Sequence, residues 1–132
     1  MRGISILVCA WLGCSAAAFA DDCPEQNQNG LNRCAEDAYK KADAALNGVY
    51  RQVTQRLKDD AETAKLLVGA QKAWIAFRDA ECTFANSSNA GGSIYPMVYS
   101  GCLSRLTKAR TKELAGYLNC AEGDMGCPVP GQ

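Results

Sequence analysis

Cysteine offers this 132-residue chain more chemistry than any other residue type, because eight cysteines are present. Two of them, Cys9 and Cys14, lie in an apolar N-terminal run. No two of the eight have the C-x-x-C spacing of zinc sites and redox motifs. An even number of cysteines beyond such a run is typical of a disulfide framework, and bonded cysteines have no thiolate for metal binding or nucleophilic attack. The six that follow the run are Cys23, Cys34, Cys82, Cys102, Cys120 and Cys127.

The other routes to catalysis are weak in this sequence. The chain contains no histidine, which removes the commonest general base and the commonest metal ligand. Asp79 and Glu81 are two residues apart on a predicted helix, so their carboxylates point away from each other. The sequence Gly91-Gly92-Ser93 is too short for a phosphate-binding loop and follows no strand. We therefore predict a protein that is not an enzyme and needs no metal or cofactor, with a glycosidase-type pair of more distant carboxylates left open.

The N-terminal segment has the features of a signal peptide. Arg2 precedes an apolar stretch from Ile4 to Leu12, and Ala18-Phe19-Ala20 has the small-x-small form that signal peptidase cuts. The apolar stretch is too short to span a bilayer, and no second long apolar stretch follows, so no transmembrane segment is expected. We predict a signal peptide over residues 1–20 and a single domain over residues 21–132.

A lipid anchor is the alternative fate of this segment. Trp11-Leu12-Gly13-Cys14 loosely resembles a bacterial lipoprotein signal, in which the cysteine is lipidated and becomes the new N-terminus. The usual leucine three residues before that cysteine is tryptophan here, and Ala18-Phe19-Ala20 is the better cleavage site. We therefore expect a periplasmic or secreted protein, with lipidation at Cys14 as the alternative.

The charge balance bears on the kind of partner. The chain has 14 basic and 14 acidic residues, and removal of Arg2 with the signal leaves 13 against 14, a net charge of −1. Nucleic-acid binding requires a basic footprint that this balance does not supply. The expected partner is a protein, and the sequence does not determine the oligomeric state.

Helical periodicity covers three long segments, at about residues 31–57, 60–85 and 96–118, and no comparable segment alternates with period two. Three helices with short connections predict an all-α, antiparallel bundle stapled by disulfides. A short N-terminal arm precedes the bundle, and an irregular Gly/Pro-rich tail follows it over residues 119–132.

Local signals suggest where these helices begin. Asn29-Gly30 is expected to break the chain before the first helix. Asp59 and Glu62, three residues apart, resemble an acidic cap with its reciprocal partner at the start of the second. Ser93 is expected to cap the third, and Pro96 is tolerated because a first turn leaves its N–H groups unpaired.

The helix layout favours local disulfides among the fifteen pairings that six cysteines allow. Cys23–Cys34 would tie the N-terminal arm to the first helix. Cys82–Cys102 would flank the loop between the second and third helices, and Cys120–Cys127 would enclose the tail segment. Each bridge is expected to contribute roughly 2–3.5 kcal/mol on the chain-entropy model.

Polar residues interrupt the apolar faces of the predicted helices. We interpret them as an inter-helix network in which arginines pair with acids such as Asp43 or Glu81, with a surface binding patch as the alternative. Tyr50, Trp74 and Phe77 are predicted to lie in the core rather than to stack on a ligand. The predicted network consists of Asp43, Asn47, Gln71, Arg78, Glu81, Thr107 and Arg110.

The loop from Asn86 to Tyr95 is the best candidate for contact with a partner. It is small, polar and Gly-rich, and a disulfide at its base would reduce the entropy that it loses on binding. The alternative is that Gly91-Gly92 only lets the chain reverse between two helices. The candidate contact residues are Asn86, Asn89, Gly91, Gly92, Ser93 and Tyr95.

Three blocks of residues carry a resemblance to a known family. The first runs from Cys34 and Tyr39 through Ala42-Asp43 and Leu46-Asn47 to Tyr50. The second comprises Gln71-Lys72-Ala73-Trp74 and Arg78-Asp79-Ala80-Glu81-Cys82. The third comprises Gly91-Gly92-Ser93, Cys102-Leu103 and Leu106-Thr107 through Arg110 to Glu113-Leu114. Together, over about residues 23–119, they resemble the LprI-type lysozyme-inhibitor domain, a family of small exported bacterial proteins.

This resemblance implies a helical domain in the periplasm or envelope and inhibition of host lysozyme of the animal type. We therefore predict an exported protein that binds lysozyme and occludes its cleft without catalysis. The competing hypothesis is a periplasmic immunity-type or structural module with a different protein partner. A third hypothesis, an enzyme acting on the cell wall, requires a carboxylate pair in a cleft.

Overall fold

The computed structural model describes residues 23–129 and 131, and in this range it contains helices and no strands. The helices are α1 (Gln28–Arg56), α2 (Ala61–Ala85) and α3 (Tyr95–Tyr117), with a 3-10 turn at Ser87–Asn89. The predicted all-α class with three long helices is confirmed. The predicted signal peptide and the alternative lipidation at Cys14 lie outside the described residues. No helix within the described range is both long and apolar enough to cross a bilayer.

The start of α1 corrects the expectation that Asn29-Gly30 breaks the chain. The helix begins at Gln28, and the Asn27 side chain caps it by accepting a hydrogen bond from the Gly30 N–H at 2.9 Å. Gly30 is buried, and a Cβ at this position would overlap the side chain and backbone of Glu25. The glycine is therefore needed for close approach of the N-terminal arm rather than for a break in the helix.

The caps of α2 and α3 also differ from the expected ones. Asp60, not Asp59, caps α2 by accepting from the Thr63 N–H at 3.0 Å. Ser93 does not cap α3, because the helix begins at Tyr95 and its cap position has no side-chain hydrogen bond. Pro96 lies in the first turn, as predicted.

The helices form an up-down-up bundle in which α1 and α3 are parallel and make the principal contact. At one end, Asn32 of α1 donates to the Ser93 carbonyl just before α3, and at the other Arg56 donates to the Leu118 carbonyl, both at 3.0 Å. Helix α2 runs in the opposite direction and packs more lightly, mainly on α3. The buried apolar cluster consists of Leu46, Val53, Leu57, Leu114 and Val129. Because Val129 belongs to it, the irregular tail contributes to the core.

Three disulfides tie the arm, the loop between α2 and α3, and the tail to the bundle. The bonds are Cys23–Cys34, Cys82–Cys102 and Cys120–Cys127, with Cα–Cα distances of 5.9, 5.6 and 6.2 Å. These are the pairs that the helix layout favours. They attach the N-terminal arm to α1, join the end of α2 to α3, and close the tail into a loop.

Helix α2 buries only part of the apolar surface that its sequence suggests. Trp74 and Tyr50 pack against the core, but Phe77 is 55% exposed, so the prediction that it lies in the core is wrong. The buried residues of α2 are Gln71, Arg78 and Cys82. The sequence periodicity indicated an apolar face of α2. The face that turns inward is instead determined by the polar residues Gln71 and Arg78 and by the Cys82–Cys102 bond.

Candidate functional site

The loop between α2 and α3 is built from consecutive tight turns. Backbone hydrogen bonds join the Asn89 N–H to Asn86, the Gly92 N–H to Asn89 and the Tyr95 N–H to Gly92, with N···O distances of 3.0–3.1 Å. Gly91 has φ +77°, which is in the left-handed region. A residue with a side chain adopts this conformation only at a cost in free energy. The glycine pair therefore sets the shape of the loop, as well as letting the chain reverse.

Three further contacts brace this loop at its base. Cys82–Cys102 joins the helices on its two sides. The Asn86 side chain donates to the Cys82 carbonyl at 2.8 Å, and Asn32 of α1 donates to the Ser93 carbonyl. The loop is thus attached to all three helices, which reduces its freedom before any partner binds.

The predicted contact residues separate into exposed and supporting ones. Gly91, Gly92 and Ser93 are exposed, whereas Asn86, Asn89 and Tyr95 are partly buried. The Tyr95 ring stacks on Tyr99 one turn further along α3, with centroids 5.5 Å apart and planes 16° from parallel, so it lies along this helix rather than at the tip of the loop.

Sequence reasoning missed part of the exposed surface. Ser87 and Ser88 are exposed on the 3-10 turn, and Ile94 is 39% exposed beside them. No charged residue occurs from Thr83 to Ser104, although 21% of the chain is charged. That uncharged run was visible in the sequence and could have identified this end of the bundle.

A buried arginine lies at the centre of the three helices. The Arg78 side chain is 8% exposed, and its Nε donates to Asp79 Oδ1 at 2.8 Å. Its Nη1 is 3.6 Å from Asp43 Oδ1 on α1 and donates to Thr107 Oγ1 on α3 at 3.5 Å. One guanidinium therefore connects all three helices.

Aromatic rings surround this guanidinium. The Arg78 Cζ lies 5.4 Å from the centroid of the Tyr39 ring and 5.2 Å from that of Trp74, within cation–π range. Arg110 also lies over Trp74, at 6.0 Å, and donates to the Gln71 side chain at 3.1 Å. The rings cover the buried guanidinium of Arg78 and stabilise the positive charges of both arginines.

The cluster influences the ionisation of its own members. Burial by itself lowers the pKa of Arg78, but the hydrogen bond to Asp79 and the nearby Asp43 charge help to raise it above its ordinary value overall. Burial raises the pKa of Tyr39, partly offset by the Arg78 charge. At neutral pH the guanidinium is therefore charged and the phenol neutral.

The structure brings together six of the seven residues of the predicted polar network. Asn47 joins it by donating to Asp43 at 3.1 Å. Glu81 is partly buried but pairs with neither arginine, since Arg78 binds Asp79 and Asp43 and Arg110 binds Glu113 at 3.0 Å. No buried side-chain nitrogen or oxygen in the described range lacks a hydrogen-bond partner. The six are Asp43, Asn47, Gln71, Arg78, Thr107 and Arg110.

A family match covers the cluster and the loop. A family model described as "Lysozyme inhibitor LprI" matches residues 20–114, which include the cluster and the whole loop. The chain belongs to the LprI family. Its description is that of an inhibitor and not of a catalyst. In this LprI domain, no group of three or more acidic or cysteine side chains within the described residues could hold a metal ion.

Two relatives place the LprI domain among bacterial proteins. The uncharacterized protein R02472 of Rhizobium meliloti (strain 1021) is 38% identical over 131 residues, which span 90% of this chain and 94% of that one. The uncharacterized protein YecT of Escherichia coli (strain K12) is 27% identical over 117 residues, or 74% and 72% of the two chains. No solved structure matches the chain at a significant level.

Proposed function

We propose that this protein is an exported envelope protein that binds host lysozyme of the animal type and inhibits it by inserting the loop between α2 and α3 into the enzyme's cleft. The observation that carries the proposal is the braced, exposed and uncharged loop in a member of the LprI family. The protein acts by occlusion, with no chemistry of its own.

The properties of the loop suit a glycosidase cleft. Such a cleft holds two carboxylates among many hydrogen-bonding groups that normally meet a sugar. Backbone amides, Ser87, Ser88 and Ser93 offer neutral donors and acceptors like those of a saccharide. Because the loop carries no charge, its burial leaves no unpaired ion. Because it is braced, little conformational entropy is lost on binding.

The structure changes the roles that we assign within the loop. Ser87, Ser88, Ser93 and Ile94 are exposed and are proposed to touch the enzyme. Asn86 and Tyr95 instead support the loop, since one binds the Cys82 carbonyl and the other stacks on Tyr99.

The direct test is lysozyme-driven clearing of a bacterial cell-wall suspension, with and without the oxidised protein. We expect dose-dependent inhibition near stoichiometric ratios with an animal-type lysozyme. If neither animal-type nor goose-type lysozyme is inhibited while helicity and disulfides are intact, the proposal fails. The search then moves to another envelope partner.

Variants at the two ends of the bundle test the role of the loop. Ser88→Trp adds bulk at the exposed tip, and replacement of residues 86–95 by a Gly-Ser linker removes the contact surface. Both changes are expected to lower inhibition at least about tenfold, as loss of a binding hot spot does. Asp59→Trp, in the exposed turn at the opposite end, is the matched control and should inhibit normally. Equal inhibition by all three variants would show that the loop is not the inhibitory surface.

A further inference from the structure

The outward side of α2 is apolar from Leu66 to Phe84. Leu66, Phe77 and Phe84 are 74%, 55% and 76% exposed, and the alanines between them are exposed as well. Successive residues on this side are alternately four and three positions apart, which is the spacing of a helix–helix seam. We name it the outer stripe of α2, and it consists of Leu66, Ala70, Ala73, Phe77, Ala80 and Phe84.

Among the described residues, the core of the bundle does not use this stripe. The buried side of α2 carries Gln71, Arg78 and Cys82, roughly a third of a turn away at 100° per residue. None of the six stripe residues belongs to or packs against the described core cluster. Exposed apolar surface that is continuous over this length marks an interaction site in a folded protein.

When two copies of the stripe are placed antiparallel, each residue of one copy lies opposite a stripe residue of the other. Turning α2 end to end about Ile75 exchanges Ala73 with Phe77, Ala70 with Ala80, and Leu66 with Phe84. Every position of the stripe therefore meets another position of the stripe, as a two-fold interface requires. At the centre, each phenylalanine would fit against an alanine, which pairs a large side chain with a space for it.

We propose that a second copy of this chain covers the outer stripe, with the two α2 helices packed antiparallel. The stripe is 19 residues long, so the contact extends over about 27 Å of helix. The exposed portions of the two phenylalanines contribute on the order of 200–300 Å² per copy. With Leu66, the alanines and the flanks of both copies, the total approaches the roughly 1,000 Å² of a specific interface.

The order of large and small residues favours the antiparallel arrangement. A parallel, in-register pair would instead place Phe77 level with Phe77 and Ala73 level with Ala73 of the second copy, so large side chains would meet large ones and the alanines would leave gaps. The protein's net charge near zero also opposes association very little.

Sedimentation of the oxidised protein over a concentration series is the first measurement, and we expect a reversible monomer–dimer equilibrium. Ala73→Lys and Phe77→Glu, tested separately, should each raise the dimer dissociation constant about tenfold or more. Ala44→Lys, at an exposed alanine of α1, is the matched control and should dimerise normally. Circular dichroism checks that each variant keeps its helices.

Mixing the two variants tests the geometry itself. In an antiparallel pair the new lysine at position 73 lies opposite the new glutamate at position 77, so the mixture should form a heterodimer more tightly than either variant dimerises alone. A monomer at every concentration, or dimers unaffected by both substitutions, would overturn the proposal. If the mixed variants form a heterodimer no more tightly than either variant dimerises alone, the antiparallel pairing is wrong. If Phe77→Glu changes only binding to lysozyme or to lipid vesicles, a different partner covers the stripe.

Discussion

At the scale of single residues, Arg78 shows how one side chain organises a small bundle. It contacts α1 through Asp43 and α3 through Thr107 while belonging to α2. The sequence indicated this role, because an arginine beside tryptophan on an otherwise apolar helix needs buried partners. It named Asp43, which Arg78 contacts, but it also named Glu81, and the pairing of Arg110 with Glu113 rather than with Glu81 depends on helix rotation.

Gly30 and Gly48, both in α1, differ in what surrounds them. A methyl group on Gly30 would overlap Glu25, whereas one on Gly48 would meet nothing within 4 Å. We predict that Gly30→Ala destabilises the protein by about 1–3 kcal/mol, because the arm must move. Gly48→Ala should stabilise it by about 0.5–1 kcal/mol through helix propensity. Urea denaturation of both variants measures the difference, and equal effects would mean that the arm is not packed on Gly30.

At the scale of elements, the sequence predicted the existence of each helix better than its ends or its orientation. Long periodic runs indicated all three helices because burial of one face is a property of the whole segment. The start of α1 was missed because Gly30 serves a contact with Glu25, which lies outside the helix. Phe77 was wrongly assigned to the core because Arg78 and Cys82 determine which face of α2 turns inward, and hydrophobicity does not register their partners.

The loop was predictable to a similar degree. Its position and composition followed from the sequence, and the disulfide at its base followed from the placement of Cys82 and Cys102. Which side chains face outward did not follow, because the 3-10 turn exposes Ser87 and Ser88 while the stacking on Tyr99 holds the Tyr95 ring along α3. A local turn and a ring contact of this kind have no periodic signature.

The start of α2 makes stability depend on pH. The Thr63 backbone N–H donates to Asp60 and holds the pKa of that carboxyl below its usual value. A lowered folded-state pKa gives stability that is present above the unfolded-state value and is lost as the pH falls through the folded one. We therefore predict that stability declines below about pH 4 partly through Asp60.

Two amide variants isolate this contribution. Asp60→Asn keeps a capping oxygen but cannot titrate, so its melting temperature should fall less between neutral and acidic pH than that of the unchanged protein. Asp59→Asn, one residue earlier and outside the cap, should follow the unchanged protein. If both variants show the same dependence on pH, Asp60 does not carry the effect.

At the scale of the whole molecule, stability depends on bonds that oxidation supplies. The buried apolar cluster is small, and three disulfides at roughly 2–3.5 kcal/mol each are comparable to the ~5–15 kcal/mol of a typical domain. We predict that reduction and alkylation of the six cysteines leave the protein largely unfolded. Circular dichroism at 222 nm and urea denaturation measure the loss, and cooperative unfolding with unchanged helicity after reduction would contradict it.

The connectivity of the disulfides has a consequence for how the protein matures. The six cysteines pair consecutively, first with second, third with fourth and fifth with sixth, so no bridge encloses or crosses another. A chain that enters an oxidising compartment N-terminus first can therefore close each bridge as soon as its second cysteine emerges. Pairing in order of arrival produces the native pattern among fifteen alternatives without an isomerase, even though α1 must wait for α3 before the bundle can form.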